Sequence, residues 1–167
     1  MSHYWLRPNW EPGATLPQLP IQHFLDKGIK GLILDVDRTI LPGKEILLPE
    51  SVYDWIEKAK SLLKLNLCSN NPSKTRVSAV AGKLNLPFTF NAAKPRKGAL
   101  IRVFNELKLK PSNISIVGDR IFTDVLVGNR LGLYTVLVRP IGLDGKPSKE
   151  DRVQRFEQKL ANLLEAS

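Results

Sequence analysis

Cysteine is all but missing from this chain. Cys68 stands alone among 167 residues, which excludes a disulfide framework and any cysteine-rich zinc site. Histidine is nearly as scarce: His3 and His23 are the only two, both outside every motif found below, so a histidine nucleophile or a catalytic triad is disfavoured. No apolar run reaches the roughly 18 residues that a membrane span requires. The opening segment, from Met1 to Gly13, has neither the apolar core nor the small-residue cleavage site of a secretory signal. The expected setting is therefore reducing and cytoplasmic. Acid is scarce in one stretch: between Lys58 and Lys110 twelve basic residues face a single acid, Glu106. That stretch carries +11, although the whole chain carries +9, so one half of the fold projects a positive field toward anionic partners.

What is present is an alternation of short apolar runs and helical periodicities. Four prolines (Pro8, Pro12, Pro17, Pro20) make residues 1–20 an extended arm. Ile21 to Lys27 suits a helical turn or two. Gly31 to Val36 reads as a buried strand, and Val52, Trp55, Ile56, Ala59, Leu62 and Leu63 follow helical spacing after Pro49 and Glu50. Strands over residues 65–68, 88–90, 114–117 and 134–138 alternate with helices through Val77–Leu84, Leu100–Leu107 and Val125–Leu126. Val153, Phe156, Leu160 and Leu163 place a closing amphipathic helix on the outside, over residues 150–165. Strand and helix in alternation predict an α/β fold: a doubly wound, Rossmann-like sandwich of about five parallel strands with helices on both faces. No repeat, low-complexity block or linker interrupts residues 1–167, so a single domain is expected.

In such sheets ligands sit at the carboxyl ends of the strands. After the first strand stands Asp35-Val36-Asp37-Arg38-Thr39, and after the second Ser69-Asn70-Asn71. Lys94-Pro95-Arg96-Lys97 follows the third, and Gly118-Asp119 the fourth, with Asp124 five positions on. Several carboxylates in one pocket repel one another and protonate unless a cation joins them. All-oxygen ligands suit Mg²⁺, which binds through one or two carboxylates plus substrate phosphate. The Ser69 hydroxyl, the Asn70 backbone N–H and the Lys94 charge are the groups that hold a phosphoryl group. One carboxylate near phosphorus serves as nucleophile, and a second protonates the leaving oxygen and then activates water. Singly, each of these residues has a plainer role: a turn aspartate, a helix cap, an acid in a first helical turn, a surface lysine. Four coincidences at one sheet edge make the plain roles the poorer account.

The set D-x-D-x-T, Ser69, a lysine and G-D-x-x-x-x-D resembles the haloacid dehalogenase (HAD) superfamily of phosphatases. Gly28-Ile29-Lys30-Gly31, Ser69-Asn70-Asn71, Ala93-Lys94-Pro95, Gly118 to Asp124, and Gly128-Asn129-Arg130-Leu131-Gly132 narrow the resemblance to the YqeG family, over residues 22–140. The resemblance implies that Asp35 is the nucleophile and Asp37 the general acid/base. It implies Mg²⁺ held by the Asp35 carboxylate, the Asp37 backbone carbonyl and Asp119, with Asp124 supporting it. It makes Ser69 and Asn70 the phosphoryl-binding groups and Lys94 the neutralising cation; Lys97, three positions on, competes for that last role.

HAD enzymes bury small substrates under an inserted cap. Only 29 residues separate Thr39 from Ser69, and 24 separate Ser69 from Lys94. Helices and strands already fill both intervals, so no cap domain fits and an open pocket is expected. That suits a phosphate displayed on something large. Since the YqeG resemblance extends to phosphatidylglycerophosphate phosphatases, the expected substrate is that lipid, hydrolysed to phosphatidylglycerol at a membrane surface. The basic stretch would dock on anionic lipid, with Tyr4, Trp5 and Trp10 as interfacial aromatics or as part of an arm packed on its own fold. Two other readings compete: an uncapped phosphatase for a protein, nucleic-acid end or small ester, and a non-catalytic binding module of the same fold. Nucleic acid is disfavoured because Phe88, Phe90 and Phe104 are the only aromatics among the basic residues and sit in apolar contexts.

Overall fold

A computed structural model describes residues 4–167; the residues before them, His3 included, lie outside it. Five strands form one parallel sheet: β1 (Gly31–Leu34), β2 (Lys64–Cys68), β3 (Phe88–Thr89), β4 (Ile114–Gly118) and β5 (Tyr134–Leu137), in the order β3-β2-β1-β4-β5. The helices are α1 (Ile21–Asp26), α2 (Glu50–Lys60), α3 (Lys74–Leu84), α4 (Gly98–Leu107), α5 (Leu126–Leu131) and α6 (Arg152–Ala166). The predicted α/β architecture is therefore the observed one.

Strand β1 is buried at all four positions because helices cover both faces. Alternate residues sort between two cores. Leu32 and Leu34 pack with Trp55 and Ile56 of α2 and with Val77 and Leu84 of α3. Ile33 faces the other way, toward Leu100 and Val103 of α4 and Val127 of α5. The helices keep their apolar stripes at the spacing the sequence shows, and truncating one such buried Leu to Ala costs about 2–5 kcal/mol.

Register carries this order to the functional edge. Leu34 lies opposite Leu67 on β2 and Val117 on β4, so the three strands run out together. The chain order turns back at β1, whose successors β2 and β3 lie on one side while β4 and β5 lie on the other. The crevice of a doubly wound sheet opens at such a reversal. Residues 35–49, between β1 and α2, contain turns and one isolated bridge but no helix or strand, so nothing roofs the crevice from there.

Of the two places expected for the N-terminal arm the structure shows the packed one, and helix α6 brings a correction. The N-terminal arm packs on its own fold: the Trp10 N–H donates to Thr135 O at 3.1 Å, the Leu137 N–H donates to Trp10 O at 3.0 Å, and the indole stacks on His23 at 3.7 Å. Trp10 is thus a packing residue, while Tyr4 and Trp5 stay exposed. Helix α6 lies on the outside, as its periodicity indicates, but it is rotated: Gln154, Glu157 and Ala161 are its buried residues, and Val153, Phe156, Leu160 and Leu163 face solvent. Among the described residues, no helix is long and apolar enough to cross a membrane.

Helix α5 approaches the sheet through Gly128. A Cβ there would fall inside the contact distance of Thr135 Cγ2 and Ile116 Cγ2. Gly128→Ala is expected to destabilise the fold by about 1–3 kcal/mol through overpacking, read as a drop of several degrees in the thermal midpoint. An unchanged midpoint would contradict this packing.

Candidate active site

The loop leaving β1 is a tight, anchored turn. Ile40 and Leu41 N–H groups both donate to Val36 O, at 2.9 and 3.1 Å, and Arg38 N–H donates to Leu41 O at 2.8 Å. Val36, Ile40 and Leu41 are buried, so the polar residues between them are fixed at the sheet edge. Asp35 N–H continues the ladder to Val117 O at 3.0 Å, which ties the first aspartate to β4. Arg38 adopts a left-handed backbone, φ 65°. That conformation is costly for a side chain with a Cβ and is often kept where a site needs it.

Lys94 is the hub. Its buried ammonium donates to Asp35 Oδ1 at 3.0 Å, to Asp124 Oδ1 at 2.6 Å and to Cys68 O at 2.8 Å. Its backbone is gripped by Asn70, which accepts from Lys94 N at 2.8 Å and donates to Lys94 O at 2.9 Å. Burial alone would lower the lysine's pKa, but Asp124 and Asp35 raise it above its usual value. Lys97 instead stands at the head of α4 and is only partly buried. Of the two candidate lysines, the structure brings Lys94 into the cluster.

Asp119 and Asp124 complete it. Asp35, Asp119 and Asp124 each offer an oxygen within 4.8 Å of the others. Burial first, then Asp124, pushes the Asp35 carboxyl up to about 6. Burial, Asp35 and Asp124 raise Asp119 well above the usual carboxylate range. Asp119 Oδ1 is buried and has no hydrogen-bond partner among the described residues. Three carboxylates stand around one ammonium that bonds two of them, so the cluster carries two negative charges in excess when all are ionised. An orphaned oxygen in an all-oxygen donor set of that charge fits a divalent cation. The sequence explains how Asp124 gets in: it lies in a π-helical turn, Ile121–Val125, and a Cβ on Gly118 would collide with its carboxylate. The glycine of G-D is there to make room.

Asp37 lines the same pocket as Asp35 but engages other partners. Arg76 Nε and Nη2 donate to Asp37 Oδ1 at 3.1 and 2.7 Å, and Asn71 Nδ2 donates to Oδ2 at 3.1 Å. Arg76 also donates to the carbonyls of Gly43 and Lys44, binding the loop after β1 to α3. The Asp37 carboxylate lies outside the three-aspartate cluster. Ser69 is buried in the pocket wall, where its Oγ accepts from Asn71 N at 3.0 Å. The pocket is small, about 190 Å³, and polar, with Asp35, Ser69, Asn70, Lys94 and Asp119 among its walls. It shares Asp37, Arg38 and Asn71 with a neighbouring cavity of about 570 Å³.

Every candidate site residue thus reaches one edge, although they span residues 35–124. Sequence reasoning missed Arg76 and the two polar residues of α6 beneath Asp119. Gln154 Nε2 donates to Asp119 O at 2.9 Å, and the Glu157 carboxylate accepts from Ile121 N at 2.9 Å and Arg120 Nε at 2.8 Å. No local pattern announces them, because their partners lie more than thirty residues away.

With this geometry in hand, comparison with known proteins gives a consistent result. Residues 91–162 match the HAD-hydrolase-like family. The chain is 31% identical over 136 residues to the probable phosphatase YqeG of Bacillus subtilis, covering 81% of this chain and 76% of that protein. It is 27% identical to the mitochondrial phosphatidylglycerophosphatase of Saccharomyces cerevisiae, covering 95% and 94% of the two chains. In fold it is similar to an uncharacterized protein from Listeria monocytogenes, with a TM-score of 0.58 at 18% identity over 74% of this chain and 84% of that one. A putative HAD family hydrolase from Streptomyces avermitilis gives a TM-score of 0.53 at 19% identity, covering 78% and 86%. With its parallel sheet, its edge of aspartates and a relative of this identity matched along most of both lengths, the chain belongs to the YqeG family of HAD-like phosphatases.

Proposed function

We propose that this protein is a Mg²⁺-dependent phosphomonoesterase that works in the cytoplasm at a membrane surface, through an aspartyl-phosphate on Asp35, and that its substrate is phosphatidylglycerophosphate. The observation that carries the chemistry is the buried convergence of Asp35, Asp119, Asp124 and Lys94 at the carboxyl edge of the sheet. The substrate reading draws on the phosphatidylglycerophosphatase among the relatives and on a pocket without a cap.

Asp35 and Asp119, backed by Asp124, would hold the cation, which supplies charge neutralisation for the phosphoryl oxygens and for the carboxylates themselves. Lys94 adds a fixed positive charge beside Asp35 and keeps its carboxylate in one orientation. The phosphoryl group sits against the Ser69 hydroxyl and the amides near Asn70. An Asp35 oxygen attacks phosphorus, the ester P–O bond breaks, and the departing oxygen takes a proton from Asp37. Water then attacks the acyl phosphate and gives its proton to Asp37, releasing inorganic phosphate and restoring the Asp35 carboxylate. Asn71 and Arg76, which grip Asp37, position that acid at the pocket mouth, where a leaving group exits toward the larger cavity.

Asp35→Asn preserves size and polarity but removes the nucleophile. It is expected to cut phosphate release by about a thousandfold or more while the circular-dichroism spectrum stays native; turnover within tenfold of the parent would refute the covalent route. Mg²⁺ at about a hundred times its Kd should stabilise the protein by roughly 2.7 kcal/mol. The sign of its pH dependence follows from Asp35. In the metal-free protein that carboxyl is held up to about 6, so below this value a proton on Asp35 competes with the ion and above it that proton is gone. Thermal shifts at fixed Mg²⁺ should therefore be larger at pH 7.5 than at pH 5, and a shift independent of pH would count against Asp35 as a ligand. For the substrate, vesicles containing phosphatidylglycerophosphate should release phosphate faster than an aryl phosphate at equal concentration. Hydrolysis of the aryl ester alone would overturn the lipid assignment.

A further inference from the structure

Helix α6 presents the wrong side to its own fold. Val153, Phe156, Leu160, Leu163 and Leu164 recur at helical spacing and form one stripe, yet Phe156 is 66% exposed, Leu163 70% and Leu164 55%. The rotation is not accidental. Gln154 donates to Asp119 O and Val138 O, and Glu157 accepts from Ile121 N and Arg120 Nε. Rolling the helix over to bury the stripe would break all four bonds and strip partners from the loop that carries Asp119.

The charges of this segment are sorted as well. Asp151, Glu157 and Glu165 turn inward and are paired, Asp151 with Arg139 and with the outer Arg155, Glu157 with Arg120 and Glu165 with Arg7. Arg152, Arg155 and Lys159 stay exposed, and at 3.6 residues per turn they flank the apolar stripe. The outer surface of α6 is thus apolar and cationic, with its acids withdrawn. A helix of that composition seats itself in the plane of an anionic lipid surface, with its apolar side in the head-group boundary. Its first turn also adjoins the site: a groove lined by Arg38, Lys149, Glu150, Arg152 and Val153, three cations to one acid, reaches the mouth of the phosphoryl pocket, which Arg38 lines too. A second copy of the chain fits this face poorly, because a two-fold contact through α6 would set Arg152, Arg155 and Lys159 against their own images.

We propose that α6 is a membrane-docking helix that lies on an anionic bilayer and brings the open pocket to the head groups. The inference rests on the lipid-phosphate reading of the active site, and it assigns the contact to a surface outside the basic stretch of residues 58–110.

The full chain is sedimented with vesicles of phosphatidylcholine alone or of phosphatidylcholine mixed with phosphatidylglycerol. The parent should bind the mixed vesicles and release them at high salt. The double variant Phe156→Ser, Leu163→Ser should lose about tenfold or more of that binding, as should Arg152→Glu with Lys159→Glu, while both keep the parental thermal midpoint. Binding equal to the parent in both variants overturns the proposal. So does a parent that ignores anionic vesicles, or one that forms a dimer which the serine variant dissociates. A parent that binds through α6 yet releases no phosphate from phosphatidylglycerophosphate leaves the docking helix standing and removes the substrate assignment, so the two failures are distinct.

Discussion

The buried ammonium of Lys94, shared between Asp35 and Asp124, is the interaction around which the functional edge is organised. A charge so deeply buried survives only when it is paired and fully hydrogen-bonded, and here all three of its donors are used. The three acceptors come from the loop just after β1, from the end of β2 and from the turn after β4, so one cation binds three chain segments that the sheet leaves as separate tips. Asn70 secures the lysine's backbone from both sides. The balance is nevertheless incomplete. With Asp119 counted, the carboxylates outnumber the ammonium, and the protein alone can relieve the excess only by keeping protons on Asp35 and Asp119. A dication relieves it without protons. The same excess that makes the metal-free site electrostatically uncomfortable thus gives it affinity for such an ion.

The sheet supplies the precision. Because β1 lies between β2 and β4, residues that follow these strands emerge side by side, and the register sets them level. Two glycines let side chains and helices come closer than a Cβ would permit: Gly118 admits Asp124 and Gly128 admits α5. Both are packing constraints in origin, and the one at Gly118 places a carboxylate of the site.

Much of this is legible in the sequence, for identifiable reasons. The strands are short apolar runs with turn signals between them; Asp35, Ser69 and Asp119 follow their strand ends directly, and Lys94 comes five residues after the end of β3. Topology rules then put them on one edge with no knowledge of side-chain packing. Arg76 is a different case. Its partner Asp37 lies 39 positions away, and a basic residue in the first turn of a helix carries no mark of such a contact. Helix α6 shows the sharper limit. Periodicity reports the angles among Val153, Phe156, Leu160 and Leu163 but not which arc faces the protein. The arc that won contains Gln154 and Glu157, because unpaired backbone groups of the Asp119 loop needed partners, and satisfying buried polar groups outweighs burying a further apolar stripe on an already complete core.

An uncapped phosphatase has to solve a problem that capped ones solve with their lids. Water that reaches an acyl phosphate too early, or a phosphoryl pocket left fully hydrated, weakens every electrostatic interaction inside it. Between β1 and α2, and between β2 and β3, the chain has no inserted layer to exclude that water. The exclusion then has to come from the substrate and from whatever carries it. A phosphate presented from a bilayer brings its own low-dielectric wall, and the exposed apolar face of α6 beside the pocket mouth is the side of the molecule that such a wall would meet. If α6 docks on lipid as proposed, the outward stripe and the missing cap would be two halves of one arrangement, the lipid completing the surface that would otherwise require a lid.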